Sequence, residues 1–411
     1  MDKTEIILKK ILKEIKPSEE EEKFIKNVSY EFLSKLKRYN FNVIIGGSLA
    51  KNTWLSGNHD IDIFVMFPKE YENKDLSNLL KNILNKTFKK FIVVHGSRDY
   101  FQIKKGKNTF EIIPVLKISK IEDAKNIMDI SPLHVSWVRK SIGNLSDDVR
   151  LAKKFFIAQG IYGAESYIGG FSGYVIEILT TYYNGFKNLI KAGSKWKEKE
   201  VIDINHYYDK DALKVLNKSK IYSPLIVIDP IQKERNAAAA LTLEKFNKFI
   251  NACKLYLKKP STKLFIKKEI KISDLKRKKA IILEIEPLKG KEDIIGSKIL
   301  KVFRYIKSNL IQNEFKIKEA NWEWNKKAVL WYILKSKTLN RFKKHYGPPI
   351  NKKANLESFK KKWKDYTIKR EGNVVYVNIP RKFVRSKEFI KYMIKDKRIT
   401  NNVRSIKPKA L

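Results

Sequence analysis

Apolar residues in the first 16 positions, Leu8, Ile11, Leu12 and Ile15, recur at helical spacing among charged neighbours, which predicts an amphipathic helix. Pro17 ends it, and Ser18 with Glu21 three positions on supplies an N-cap and capping-box pair for a second helix with Phe24, Val28, Phe32 and Leu36 inward. From Phe41 the period changes. Residues 42–45 read as a strand ending in Gly46-Gly47-Ser48, followed by helix-compatible residues and a turn at Ser56-Gly57-Asn58. Over 59–67 the alternation places Ile61, Ile63, Val65 and Phe67 on one face of a strand and Asp60, Asp62, Phe64 and Met66 on the other. A helix near 76–88 and strands at 91–95, 101–104 and 110–116, the last entered through the Gly106-Lys107-Asn108 turn, complete a first α+β segment.

From about 132 to 257 the strand pattern is lost. Ser146-Asp147-Asp148 caps a predicted helix over 149–159 with Gly160 at its end, and further helices are expected at 173–183 and 241–257. Beyond Pro260 strands return at 280–286, 328–335 and 374–379, between helices at 296–312 and 356–364. The expectation is an α+β multidomain chain with boundaries at 1–131, 132–258 and 259–411. Trp331 and Tyr332 are neighbours in one predicted strand and leave opposite faces, so one face meets either a second core or an RNA.

Composition adds a partner. Lysine and arginine number 87 against 44 acidic residues in 411, a formal charge of +43 spread along the chain. A polyanion is the natural ligand, with binding that weakens steeply as salt is added; a lysine-rich proteome is the competing explanation. The single cysteine, Cys253, excludes an intrachain disulfide and a cysteine-built metal site, which fits a reducing compartment, with the cytoplasm the expected location. The first helix does not read as a secretory signal, and no apolar run is long enough to span a bilayer, so no membrane association is expected.

The chemistry concentrates in the first segment. A Gly46-Gly47-Ser48 turn at the start of a short helix lets backbone N–H groups and a hydroxyl approach a phosphate. About a dozen residues later Asp60 and Asp62 leave one face of a strand, where two like charges repel unless cations separate them. Glu111 is an ionisable residue inside the apolar run 110–114, and a buried glutamate needs a metal or a cationic partner. These three carboxylates are candidate ligands for two magnesium ions, which activate an attacking hydroxyl and neutralise a departing pyrophosphate.

The turn, the Asp-x-Asp pair and the later strand carboxylate resemble the polymerase-beta-like nucleotidyltransferases. Gly47-Ser48-Leu49-Ala50-Lys51-Asn52-Thr53-Trp54-Leu55 and His59-Asp60-Ile61-Asp62-Ile63-Phe64-Val65 are similar to the archaeal-type CCA-adding tRNA nucleotidyltransferases. The likeness continues through Ser131-Pro132-Leu133-His134, Val149-Arg150-Leu151-Ala152-Lys153, Gly160-Ile161-Tyr162-Gly163-Ala164-Glu165 and Gly170-Phe171-Ser172-Gly173-Tyr174. Ile228-Asp229-Pro230, Arg235-Asn236-Ala237-Ala238 and His345-Tyr346-Gly347-Pro348-Pro349 extend it over essentially the whole chain.

The resemblance implies an N-terminal catalytic sheet with helices, a helical centre that closes the nucleotide site, and a C-terminal α+β region that binds tRNA. It implies that Asp60, Asp62 and Glu111 hold the catalytic metals. Gly47, Ser48, Lys51, His134, Lys153 and Tyr162 would contact the nucleotide, and Arg235 would help read its base. CTP, ATP and tRNA are the implied substrates. Two departures stand out: the family usually has aspartate where Glu111 stands and arginine where Lys51 stands. Residue chemistry alone leaves three readings open for Lys153, His134 and Tyr162: a ligand contact, a snorkelling lysine, or a core-edge residue with a satisfied polar tip. A poly(A) polymerase or oligoadenylate-synthetase-like enzyme is the nearest alternative, and a basic RNA-binding protein with a lapsed site is another. The sequence leaves the oligomeric state open, a homodimer included.

Overall fold

The computed structural model describes residues 2–57, 60–208 and 211–411. Asn58 of the expected turn and His59 of the expected strand lie outside them. The chain divides into two compact units, 1–268 and 269–411.

The first unit opens with α1 (Lys3–Ile15), whose Leu8, Ile11 and Ile15 are buried among the helices of the middle segment. In α2 (Glu19–Lys37) the Ser18 hydroxyl accepts from the Glu21 N–H at 3.1 Å, as the cap predicts. The Glu21 carboxylate also accepts from Ser56 Oγ at 2.7 Å and Gly57 N at 2.8 Å, tying the helix start to the turn ahead of the second strand. The buried face of α2 is Ile25, Ser29, Phe32, Leu33 and Leu36, while the expected Phe24 is 52% exposed. At 3.6 residues per turn the stripe through Ile25, Phe32 and Leu36 turns position 24 away from the sheet.

A five-stranded sheet follows in the order β1-β2-β5-β4-β3. Its strands are β1 (Asn42–Ile45), β2 (Asp60–Phe67), β3 (Ile92–Val94), β4 (Tyr100–Lys105) and β5 (Asn108–Leu116), with α3 (Gly47–Ala50) and α4 (Leu76–Thr87) between them. Only β2 and β5 pair in parallel. The alternation of β2 is realised: Ile61, Ile63, Val65 and Phe67 pack with α2 and α4. On the opposite face Phe64 packs with Ile113, Val115 and Val135, leaving Asp60 and Asp62 at the mouth of that face.

The middle segment contains α5 (Ser131–Ser141), α6 (Ser146–Ala158), α7 (Gly173–Tyr182), α8 (Phe186–Gly193), α9 (Ala212–Val215) and α10 (Leu243–Lys258); α6, α7, α8 and α10 share one apolar core, and the buried residues of α5 and α9 lie in smaller clusters. It is not strand-free. β6 (Glu200–Ile202) and β7 (Leu225–Val227) form a short parallel pair, too brief for periodicity to reveal. The start of α6 is also unlike the expectation: Leu145 is its N-cap, with no side-chain cap bond, because Asp147 and Asp148 point to partners elsewhere, Lys16 and Arg150 for the first and Phe186 N for the second.

The second unit is α11 (Ile272–Arg277), β8 (Ile281–Glu286), α12 (Glu292–Gln312), β9 (Ile317–Trp324), β10 (Ala328–Leu334), β11 (Phe342–Pro349), α13 (Lys353–Lys362), β12 (Ile368–Glu371), β13 (Val374–Pro380), α14 (Ser386–Met393), α15 (Lys397–Thr400) and β14 (Ser405–Ala410). One antiparallel sheet has the order β14-β8-β10-β9 and another β11-β13-β12. Tyr332 is buried against α12, with its hydroxyl donating to Phe303 O at 3.0 Å, and Trp331 is buried on the other face with Leu275, Ala280 and Ile282. The alternative left by the sequence therefore resolves to a second core. Among the described residues no helix is long and apolar enough to cross a membrane.

Candidate active site

The parallel register of β2 and β5 sets Asp62 directly opposite Glu111 and Asp60 opposite Thr109. Period-two geometry then puts all three carboxylates on one face. Burial, Glu111 and Asp60 together push the Asp62 carboxyl up to about 7. Glu111 is raised as well, by burial first and by Asp60, against a hydrogen bond from Gln102 Nε2 to its Oε1 at 2.7 Å. Gly47 explains how Asp62 comes so close to the preceding turn. It has φ +57°, and a Cβ at that position would lie 1.6 Å from Asp62 Oδ2, so no other residue fits there without displacing the carboxylate.

Among the described residues no three His, Cys, Asp or Glu side chains converge into a finished cation cage. The donor set nonetheless fits hard divalent cations: carboxylate oxygens on adjacent strands whose mutual repulsion a cation would relieve.

A second cluster forms where α6 and α7 meet the loop after α3. Glu177, 1% exposed, takes Lys51 Nζ on Oε2 at 2.8 Å, and Lys153 Nζ on Oε1 at 2.9 Å. Thr53 Oγ1 donates to Glu177 Oε1 at 2.7 Å and accepts from Lys153 Nζ at 2.8 Å. Burial alone would raise the Glu177 carboxyl, but Lys153 and Lys51 bring it down to about 2. Lys153 is 4% exposed and does not snorkel. Arg150, one helical turn earlier on α6 and also buried, donates to Trp54 O at 3.0 Å and Asn52 Oδ1 at 2.6 Å. Helix α6 thus fixes the loop that leads into β2.

The third cluster centres on buried Asp229. Its carboxylate accepts from Arg235 Nη1 at 2.5 Å, Tyr174 OH at 3.1 Å and Ile231 N at 2.9 Å, and lies 3.3 Å from His134 Nε2 without hydrogen-bond alignment. Burial raises the Asp229 carboxyl, and His134, the Ile231 N–H and Arg235 outweigh it, holding it at about 2. Tyr174 joins the second and third clusters. Its ring lies 4.3 Å from the His134 ring and under Lys51 Nζ at 5.4 Å. On α7, Tyr174 and Glu177 are three residues apart and share a face.

Of the sequence candidates, Lys51 and Lys153 meet at Glu177, and His134 and Arg235 meet at Asp229. Tyr162 OH lies 3.1 Å from where a Cβ on Gly173 would sit, beside Lys153, and burial with the nearby acids raises it to about 12. Ser48 is half-buried in α3. Sequence reading missed Glu177, Thr53 and Arg150 and gave Asp229 no role. Glu177 carried a usable signal, since it is the one charge in the apolar helix 173–182, the same argument that singled out Glu111. Another missed pair, Arg98 and buried Asp129, ties the end of β5 to the start of α5, with Asp129 also accepting from Leu116 N at 2.7 Å.

Comparison with known proteins gives the family. Residues 25–127 match a nucleotidyltransferase domain, 147–266 the second domain of tRNA nucleotidyltransferases, and 276–407 the C-terminal domain of CCA-adding enzymes. A CCA-adding enzyme of Nanoarchaeum equitans is 39% identical over 81% of this chain and 83% of its own length. That of Sulfurisphaera tokodaii is 30% identical over 93% of both. Among solved structures, the Cid1 poly (U) polymerase with Mg and 3'-dATP bound aligns with a TM-score of 0.51 at 15% identity, over 64% of this chain and 98% of that one, which speaks for the fold. With three family matches in register along the chain and relatives of this extent, the protein belongs to the CCA-adding enzymes, a family of tRNA nucleotidyltransferases.

Proposed function

We propose that this protein builds or repairs the 3′-terminal CCA of tRNA, using CTP twice and ATP once without a template. The observation that carries the reading is the parallel pairing of Asp62 with Glu111, which gathers the acids on the sheet face beside a buried cluster of two lysines and one glutamate.

In each cycle the RNA 3′ oxygen forms a bond to the α-phosphorus as the bond from that phosphorus to the β-phosphate oxygen breaks, and pyrophosphate leaves. Nucleotidyltransferase domains work with divalent metal ions; two magnesium ions held by Asp60, Asp62 and Glu111 would supply charge neutralisation and a more acidic 3′ hydroxyl. Glu111, steadied by Gln102, receives the hydroxyl proton. Lys51 and Lys153 meet the triphosphate: sharing one carboxylate, they leave excess positive charge in a water-poor site, where an anion is strongly favoured. Gly47 and Ser48 line the phosphate turn, and Tyr162 and His134 bound the ribose. Arg235, held by Asp229, presents its guanidinium to the base.

The two departures from the usual pattern have local settings. The longer arm of Glu111 is caught by Gln102, and Lys51, a point charge with no guanidinium fork, shares Glu177 with Lys153. In this reading residues 1–131 are catalytic, 132–258 close the nucleotide site, and 259–411 bind the tRNA.

The test is incubation with tRNA lacking its CCA, offering CTP and ATP singly and together. We expect two cytidines and then one adenosine. Unlimited adenosine addition would replace this reading with a poly(A) polymerase. Affinity for tRNA should fall steeply from low to moderate salt, as a phosphate-dominated interface requires.

A further inference from the structure

The His345-Tyr346-Gly347-Pro348-Pro349 run is not used by the site above. It lies on β11, which pairs with β13, itself paired with β12. Helix α13 covers one face of this sheet, where Phe359, Val375 and Val377 are buried with Trp363, Ile368 and Ile379 against them. His345 belongs to that covered face, its ring 4.8 Å from Trp363 and stacked at 6.1 Å on Phe359. A Cβ on Gly347 would strike the Phe359 ring at 2.7 Å. Ring contacts thus occupy His345, itself exposed, and packing accounts for Gly347, but neither Phe359 nor Trp363 engages Tyr346, which is 53% exposed.

Strand register assigns Tyr346 to the other face, in one row with Tyr376 and Lys369. The two tyrosine rings are 5.8 Å apart and tilted, so each keeps a separate face. The next row holds Lys344 opposite Asn378, with Lys344 Nζ 4.7 Å from the Tyr376 ring, and the row after it holds Phe342, 49% exposed. Glu371 accepts from Tyr346 OH at 2.8 Å and from Lys344 at 2.7 Å, which fixes the direction of the Tyr346 ring.

We propose that this uncovered sheet face binds RNA by stacking unpaired nucleobases on Tyr346 and Tyr376, with Lys369 reaching a flanking phosphate and Lys344, held by Glu371, fixing the tyrosine pair. An exposed tyrosine on the edge strand beside a half-buried one on the central strand, with cations in the same and adjacent rows, is the chemistry that takes single-stranded nucleotides. The net charge of +43 supplies the complementary field for a polyanion. The inference rests on the RNA-substrate part of the proposed function and is independent of the catalytic acids.

The test uses the full chain and two probes, a labelled hexauridylate and a tRNA transcript lacking CCA, titrated by fluorescence anisotropy at several salt concentrations. Tyr346→Ala should weaken both by about ten-fold, within the range for loss of one stacked base, with the salt slope unchanged. Tyr346→Phe and Tyr346→Trp should retain affinity, because the ring does the binding. Lys369→Ala should lower the slope by about 0.7, one phosphate contact. Unchanged affinity in Tyr346→Ala overturns the proposal. So does an equal loss in Tyr346→Phe, which would make the hydroxyl bond to Glu371 the important feature. A change in sedimentation without a change in RNA affinity would assign the face to a second copy of the chain. If the wild type adds no nucleotide but the tyrosine variants still lose RNA, the activity reading fails and the face stands; CCA addition with RNA affinity indifferent to Tyr346 gives the reverse.

Discussion

The strand acids and the α6–α7 cluster put buried carboxyl groups in opposite states within one unit. On β2 and β5, Asp62 is pushed up to about 7 by burial and its acidic neighbours. At the helices Glu177 is more deeply buried, yet its lysines hold it at about 2. Burial raises both; what differs is the balance of partners. Glu177 has two ammonium groups and the Thr53 hydroxyl on it, whereas the acids on the strands face one another. One cluster is short of positive charge and the other has an excess. On the proposed reading, a metal-bound polyphosphate would complete both at once.

The largest loss is expected at Asp62. Asp62→Asn keeps the shape and removes the charge, so single-turnover incorporation of CMP should fall by at least about 10²–10³-fold, the loss typical of a group aimed at charge in the transition state. Affinity for tRNA should hold, and a thermal shift produced by Mg²⁺ in the wild type should disappear. An unaltered incorporation rate would remove the acids from the mechanism and leave the comparison with only its basic half.

Glu177→Gln attacks the other side. Two buried lysines would then have no counter-charge, a change expected to cost about 3–5 kcal/mol, read as a lower midpoint in urea unfolding. KM for CTP should also change, since Lys51 and Lys153 would lose the group that orients them. A variant as stable as the wild type would mean that water, not Glu177, balances these lysines.

How much of this contrast the sequence disclosed depends on how local the cause is. The two faces of β2 were legible because alternation is a property of eight consecutive residues, and Glu111 because it interrupts an apolar run. The pairing of Asp62 with Glu111 depends on a parallel register between residues 49 positions apart, which no local pattern specifies. The Glu177 cluster unites residues 51, 53, 153 and 177 from a loop and two helices. The Phe24 error was of another kind: several apolar residues on α2 competed for one stripe, and only the sheet beneath decides its angle.

Acid unfolding separates charge from packing at Glu177. The Glu177 carboxyl lies at about 2 in the folded chain against an ordinary value of 4.5. A depressed carboxyl contributes stability that is fully present above 4.5 and is lost as pH falls through 4.5 toward 2. The stability gap between wild type and Glu177→Gln, measured by urea unfolding at pH 6, 4 and 3, should therefore narrow as pH falls. A constant gap would place the effect in packing, not in charge.

The smallest expected effect belongs to the neutral member of the cluster. Thr53 is fully buried, and its hydroxyl donates to Glu177 and accepts from Lys153. Thr53→Val preserves volume and removes both bonds, at about 1.5–3 kcal/mol for hydrogen bonds to charged groups. Thr53→Ser keeps the hydroxyl and loses only a methyl, about 1 kcal/mol. The decisive measurement is the double variant. If the hydroxyl helps Glu177 outweigh its burial, the Thr53→Val loss should shrink in the Glu177→Gln background, because the two groups act on one network. Strict additivity would mean that the lysines alone hold Glu177 ionised, and that the contrast with the strand acids is a matter of net charge only.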